Sequence, residues 1–183
     1  MNNKILVLIG PSGAGKSEVV KRLVSMRIIN LNPTWTDRPV RPDETEPYDH
    51  VFVSSEEFKR AEEEGRFLEV VQVFGLKYKY GLTSINTHSS AVQLVMLRSF
   101  LVDMFSNYYQ DFKVYQIEAD KKTLKKRMKG RADNLGSRLS DVDAETELGR
   151  ETADRVFINS GDISICFENI IKALEEDFNL PQQ

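Results

Sequence analysis

An unbroken apolar run, Ile5-Leu6-Val7-Leu8-Ile9, leads straight into Gly10-Pro11-Ser12-Gly13-Ala14-Gly15-Lys16-Ser17. Such a run suits a strand covered on both faces, as in a parallel sheet. The segment after it satisfies G-x-x-x-x-G-K-[ST] in full, and Val19, Val20, Leu23 and Val24 then recur at helical spacing. Strand, glycine loop and helix in that order confine the chain to α/β folds built around a phosphate-binding loop. The glycines let the backbone wind tightly and aim several N–H groups at one anion. The helix that follows adds the positive end of its dipole. Lys16 supplies a mobile cation for phosphate oxygens, and the Ser17 hydroxyl can ligate Mg²⁺. A plain glycine turn can also join a strand to a helix, but it has no need of lysine and serine at those two places.

The rest of the chain continues the alternation. A second short strand is expected over residues 27–32, then a polar, proline-rich stretch over 33–47. Ser54 with Glu57 reads as a capping box opening a helix that stops at Gly65. Strands are expected over 67–74, 91–97, 112–119 and 156–158, and helices over 100–109, 121–129 and 163–176. Residues 131–139 read as a polar, glycine-containing loop before a further helix that runs to about Thr152. Alternating strands and helices mean βαβ units, so the fold class is α/β with a mainly parallel sheet flanked by helices.

Composition narrows the function. The 183 residues suit one domain, and 40% hydrophobic with 29% charged residues is ordinary for a globular protein. A net charge of -3 argues against a nucleic-acid or anionic-membrane binder. No segment approaches the roughly 18 apolar residues of a membrane span. The single cysteine, Cys166, cannot form an internal disulfide and sits in an apolar run, which fits a reducing, cytoplasmic setting. No N-K-x-D segment for reading guanine in a GTPase is present. The strand ending Val95-Met96-Leu97-Arg98-Ser99 lacks the aspartate usual in motor ATPases. The absence of both favours a small-molecule kinase.

A second dense cluster follows at Thr34-Trp35-Thr36-Asp37-Arg38-Pro39-Val40-Arg41-Pro42-Asp43-Glu44. Two arginines held by prolines in a non-helical loop could fork onto one phosphate. Glu69 lies inside an apolar run, where a carboxylate either faces solvent or has a partner. A carboxylate accepting two parallel hydrogen bonds matches the N1–H and N2–H₂ edge of guanine, which adenine does not offer.

Here the sequence resembles the guanylate kinase family. The matching stretches are residues 10–17, 34–44, 49–54 with Glu57-Phe58, 65–72, Tyr80-Gly81, 124–131, Arg138-Leu139 and 154–159. They fall in family order across nearly the whole chain. The resemblance implies a P-loop NTPase core (1–33 and 84–183), an acceptor-binding insertion (about 34–83) and a short lid (about 130–150). It implies transfer of the ATP γ-phosphoryl group to GMP or dGMP, with Mg²⁺ as cofactor. ATP would lie on Gly10, Ser12, Gly13, Ala14, Gly15, Lys16 and Ser17, with Asn159 at the adenine. Arg38 and Arg41, helped by Tyr80, would clamp the acceptor phosphate, and Glu69 and Thr34 would read guanine. Lys16, Arg38, Arg131 and Arg138 would stabilise the transferring group, the last two from the lid. Partners would be small nucleotides, with no nucleic acid and no membrane, for a monomer or homodimer.

Three departures stand against that pattern. Leu97-Arg98-Ser99-Phe100 replaces an Asp-x-Asp that helps read the base and organise water around Mg²⁺, and Arg98 could contact a phosphate instead. His50 stands where a phosphate-binding tyrosine is usual, and an imidazole there would change charge near neutral pH. Leu82 stands where a hydroxyl is usual, after a longer loop at 76–79. Two alternatives therefore stay open: a same-fold kinase with another phosphorylated acceptor, and a silent guanylate-kinase-like binding module.

Overall fold

The computed structural model describes residues 4–42, 44–72, 77–128 and 135–180. Its core is a five-stranded parallel sheet in the order β2 (Ile29–Leu31), β7 (Val92–Met96), β1 (Ile5–Ile9), β8 (Lys113–Glu118), β9 (Arg155–Ile158). The apolar run of β1 lies at its centre and divides by strand alternation. Leu6 and Leu8 join one cluster with Val19, Val20 and Leu23 of α1 (Lys16–Ser25) and with Ile170 and Leu174 of α6 (Ile163–Phe178). Ile5, Val7 and Ile9 point the other way, into a cluster with Val102 and Phe105 of α3 (Val102–Ser106). Every residue of β1 is at most 1% exposed, which explains why the strand reads as a continuous apolar run.

A second, four-stranded sheet is built from residues 35–83, in the order β4 (Val51–Phe52), β3 (Trp35–Thr36), β6 (Lys79–Thr83), β5 (Phe67–Gln72). Its β3–β4 pair is parallel and the other two pairs are antiparallel. The sequence reading placed no strand at β3, β4 or β6. The two-residue β3 and β4 carry too little periodicity to be seen before their partners are known, and Gly81 breaks the pattern of the five-residue β6. The helix α2 (Ser55–Glu63) starts where the Ser54–Glu57 capping box placed it, both reciprocal bonds being present.

A β-bulge decides which side chains of β5 face which way. Phe67 pairs with Thr83, but Glu69 pairs with Leu82, so Leu68 is an extra residue. Phe67 thereby shares a face with Gly81 and Trp35, stacks on Phe58 of α2 at 4.8 Å between ring centroids, and meets the Trp35 ring edge-on at 5.7 Å. Glu69 emerges on the opposite face with Tyr80 and Thr36. Regular alternation would have put Phe67 and Glu69 on the same side.

Further expectations shift. The helix expected at 100–109 is a 3₁₀ turn, Ser99–Leu101, followed by the shorter α3. The loop expected up to Leu139 is already helical from Leu135, since α5 spans Leu135–Thr152; Gly136 does not stop it, because the polar residues around it carry no proline to break the backbone ladder. The basic helix is α4 (Lys121–Met128). The expected end of β5 at 73–74 lies outside the described residues. Among the described residues no helix is long and apolar enough to cross a membrane.

Candidate active site

The P-loop is held from behind by its own scaffold. Gly10 has φ +135°, and a Cβ there would stand 2.1 Å from the Ile117 carbonyl oxygen of β8, so no other residue fits without displacing the strand. Gly15 caps α1 at φ +102°, where a Cβ would meet the Asn159 amide at 2.4 Å. Asn159 itself is buried and donates from Nδ2 to the Ala14 carbonyl at 2.8 Å. Its Oδ1 is buried with no hydrogen-bond partner among the described residues. Arg127 of α4 donates from Nη1 to the Gly13 and Ala14 carbonyls at 3.2 and 3.4 Å. The Lys16 ammonium donates to the Gly10 and Pro11 carbonyls at 2.5 and 3.1 Å, with its head inside the loop. Sequence reasoning missed Arg127, although it sits in the stretch 124–131 that carried the resemblance.

The acceptor cluster forms a web on the sheet face that carries Tyr80. Arg38 is 5% exposed and donates to Glu44 through both Nη atoms, at 2.7 and 2.5 Å. Its Nε donates to the Tyr80 hydroxyl at 3.2 Å, and Nη1 also reaches the Pro39 carbonyl at 3.0 Å. Its guanidinium lies over the Phe52 ring at 5.1 Å. Burial alone would lower the Arg38 pKa, but the bonds and charge of Glu44, with Tyr80, hold it above its ordinary value. Burial likewise pushes the Glu44 carboxyl up, and the bonds from Arg38 and the Arg41 amide reverse that, leaving it below its usual range. Both partners therefore stay ionised at neutral pH. The Arg41 guanidinium is more exposed, at 27%, and lies 3.6 Å from Glu44 Oε1.

Thr34 Oγ1 and His50 Nδ1 share a hydrogen bond of 2.8 Å, and the imidazole packs against the rings of Tyr80 and Phe52. Burial, then the nearby Arg38 charge, lowers the His50 pKa to about 4. This corrects the expectation that the imidazole changes charge near neutral pH: it is neutral there. Glu69 accepts a 2.8 Å hydrogen bond from the Tyr108 hydroxyl, which also donates to the Leu68 carbonyl at 2.9 Å.

The structure thus brings together Thr34, Arg38, Arg41, His50 and Tyr80, with Glu69 on the same sheet face. A direct contact joins this region to the P-loop: the Ser17 hydroxyl donates to the Asp49 carboxylate. The departures also acquire physical content. Leu82 and Leu97 are buried in one apolar cluster. Arg98 pairs with Glu145 of α5 at 3.0 Å. Nearby, buried Glu118 is gripped by both Arg150 of α5 and Gln116, while the Ser99 hydroxyl donates to the Glu145 carbonyl. Arg131 lies outside the described residues. Arg138 falls on the α5 backbone, its side chain outside the description.

Comparison with known proteins agrees with this arrangement. The family model described as guanylate kinase matches residues 2–176. A guanylate kinase of Porphyromonas gingivalis is 31% identical over 94% of this chain and 97% of its own length. One from Fusobacterium nucleatum is 30% identical over 93% and 95%. The crystal structure of guanylate kinase from Anaplasma phagocytophilum superposes with a TM-score of 0.72, covering 96% of this chain and 86% of that one at 24% identity, a likeness of fold. With its P-loop braced by Asn159 and its arginines gathered around Glu44, this chain belongs to the guanylate kinase family.

Proposed function

We propose that the chain is a nucleoside monophosphate kinase that transfers the γ-phosphoryl group of ATP to GMP, and to dGMP, giving the diphosphate. The observation that carries this reading is the buried Arg38–Glu44–Tyr80 web beside Thr34–His50, on the same face as Glu69. Arg38 spends four N–H contacts inside the protein. It shapes the acceptor pocket, and the more exposed Arg41 brings the second guanidinium to the acceptor phosphate. We assign Thr34 as the donor to His50 Nδ1, which puts the proton of the neutral ring on Nε2 as a donor for that phosphate. Glu69, oriented by Tyr108, accepts from the guanine N1–H and N2–H₂ edge.

On the donor side, the P-loop amides and Lys16 hold the ATP phosphates, and the orphaned Oδ1 of Asn159 supplies an acceptor for the adenine amino group. The residues present fit Mg²⁺. Ser17 and the adjoining Asp49 are hard oxygen groups, and no cluster of three or more possible metal ligands exists among the described residues. That suits an ion that keeps several waters and binds chiefly through substrate phosphates. Mg²⁺, when bound, neutralises charge on the phosphate oxygens. The protein's own part is positioning and charge stabilisation. No general base is required, because the attacking group is already a phosphate oxygen. Residues 34–83 form the acceptor-binding insertion, and residues 130–150, with Arg131 and Arg138, form the lid.

The setting proposed is cytoplasmic, with small nucleotides rather than nucleic acid as partners, for a monomer or homodimer. A second reading keeps the chemistry and changes the acceptor; burial of Leu82 and Leu97 where polar base-reading groups are usual favours it. ADP formation from ATP and Mg²⁺, with GMP, dGMP, AMP, CMP and UMP offered separately, decides between them. Turnover confined to GMP and dGMP is expected, and equal or better turnover of another nucleotide would overturn the guanine assignment.

A further inference from the structure

A hydroxyl that ligates a cation through an oxygen lone pair must still place its proton. An adjacent carboxylate that accepts the proton's hydrogen bond fixes the lone-pair direction and makes the oxygen a better ligand. In this chain the end of β7 does not provide one. Leu97 is buried in an apolar cluster, Arg98 turns to Glu145, and the Ser99 hydroxyl donates to the Glu145 carbonyl. The strand end is committed to holding α5.

The carboxylate that does meet Ser17 comes from the other sheet's territory. Asp49 Oδ1 accepts from the Ser17 hydroxyl, while Oδ2 accepts from the Thr45 backbone N–H at 2.9 Å. With both oxygens engaged, the side chain has one orientation. The loop that carries it is docked on α1 one turn beyond the P-loop. Lys21 donates to Thr45 Oγ1 at 3.3 Å, its ammonium lies 5.7 Å from the Tyr48 ring centroid, and Tyr48 packs on the main apolar cluster. The next residue along is His50, which bonds to Thr34 and packs against Tyr80, the partner of Arg38. A short path of contacts therefore runs from Ser17 through Asp49 to the acceptor web.

We propose that Asp49 is a positioning residue for the metal end of the ATP site, supplied by the acceptor-binding insertion in place of a carboxylate at the end of β7. It orients Ser17 toward Mg²⁺ and ties the position of that ligand to the loop carrying the acceptor web. The inference rests on the ATP and Mg²⁺ reading given above. It goes beyond it by assigning a role to a residue that makes no contact with the transferring group.

The test measures nucleotide affinity instead of turnover. ADP is titrated calorimetrically into the full chain with excess Mg²⁺ and again with EDTA, and the ratio of the two affinities is the readout. Asp49→Asn keeps an oxygen for the Thr45 N–H, and its folding is checked by thermal melting. It is expected to cut the Mg²⁺ enhancement by about 10-fold while leaving the EDTA affinity unchanged. Ser17→Ala, which deletes the same contact from the other end, is expected to give a similar loss, and the double variant no further one. If Asp49→Asn keeps the wild-type ratio while Ser17→Ala loses it, the proposal is wrong. If the wild-type protein binds ADP with no Mg²⁺ enhancement, the metal reading of Ser17 fails and takes the proposal with it. A normal ratio and its loss in Asp49→Asn, without turnover of any guanine nucleotide, would uphold the proposal and count against the acceptor assignment alone.

Discussion

The two sheets of this molecule are held together in opposite ways. The parallel core sheet is dry: β1 is fully buried, and its two faces feed two apolar clusters. The acceptor sheet is shallow. Its β3 and β4 are two residues long, its strands are mostly half-buried, and much of its order comes from an ion pair, a histidine and a few hydroxyls. In the core, the groups that stabilise are not the groups that bind. On the proposed assignment they are the same atoms in the acceptor sheet, so a change there is expected to reach stability and substrate use together.

The largest effects should separate the two regions. Leu94→Ala in β7, at a site with no exposure, is expected to cost about 3 kcal/mol from lost burial and the cavity left behind. The KM values of the folded fraction should stay as they were. Arg38→Ala should cost a similar amount, about 3 kcal/mol, because it takes the closest, doubly bonded cation from the mostly buried Glu44 and leaves the more distant Arg41, at 3.6 Å. It should also raise the KM for GMP. Denaturant midpoints with steady-state kinetics check both, and an unchanged GMP KM in Arg38→Ala would break the contrast.

Arg41→Ala comes next. Its side chain is more exposed, so stability should hardly move, while the GMP KM rises about 10- to 100-fold, as for loss of a charge-assisted bond. The ATP KM should stay within about two-fold; equal rises in both would remove Arg41 from the acceptor phosphate. Tyr108→Phe deletes only the hydroxyl that orients Glu69. A rise of about 5-fold in the GMP KM is expected, from the loss of one neutral-donor bond.

The smallest effect is a pH dependence. His50 titrates at about 4 in the folded protein, below its ordinary 6.5, so the unfolded chain binds more protons between those values. Stability must then fall as pH drops through that window. His50→Gln should flatten the melting temperature between pH 7 and pH 5 by about 3 °C relative to the parent. An identical slope in both proteins would mean that the imidazole is not held neutral by its surroundings.

What could be read from sequence follows the same division. Residues 5–17 announce both a buried strand and the loop after it, because a two-sided apolar run and a glycine-lysine-serine spacing are local signals. The pair Arg38 and Arg41 was legible from its prolines, and the Ser54–Glu57 cap from its spacing. The strand containing Tyr80 was not, because it exists only through pairing with β3 and β5. Asp49 lies in the matching stretch 49–54 but had no role assigned to it, since its partner Ser17 lies 32 residues away. The same holds for Arg98, whose meaning came from Glu145 across the fold. The charge behaviour of His50 was misjudged because neither its burial nor the nearness of Arg38 is visible in the chain order.

The bulge at Leu68 gives the acceptor strand a tolerance to changes in length. Because Leu68 is the surplus residue, a chain lacking it would pair as a regular strand with Phe67 still under α2 and Glu69 still on the face of Tyr80. A residue lost or gained between Glu69 and Gln72 would instead turn part of the strand over. Descendants of this sequence can therefore vary in length at one point beside Glu69 without exchanging the inside of this sheet for its outside.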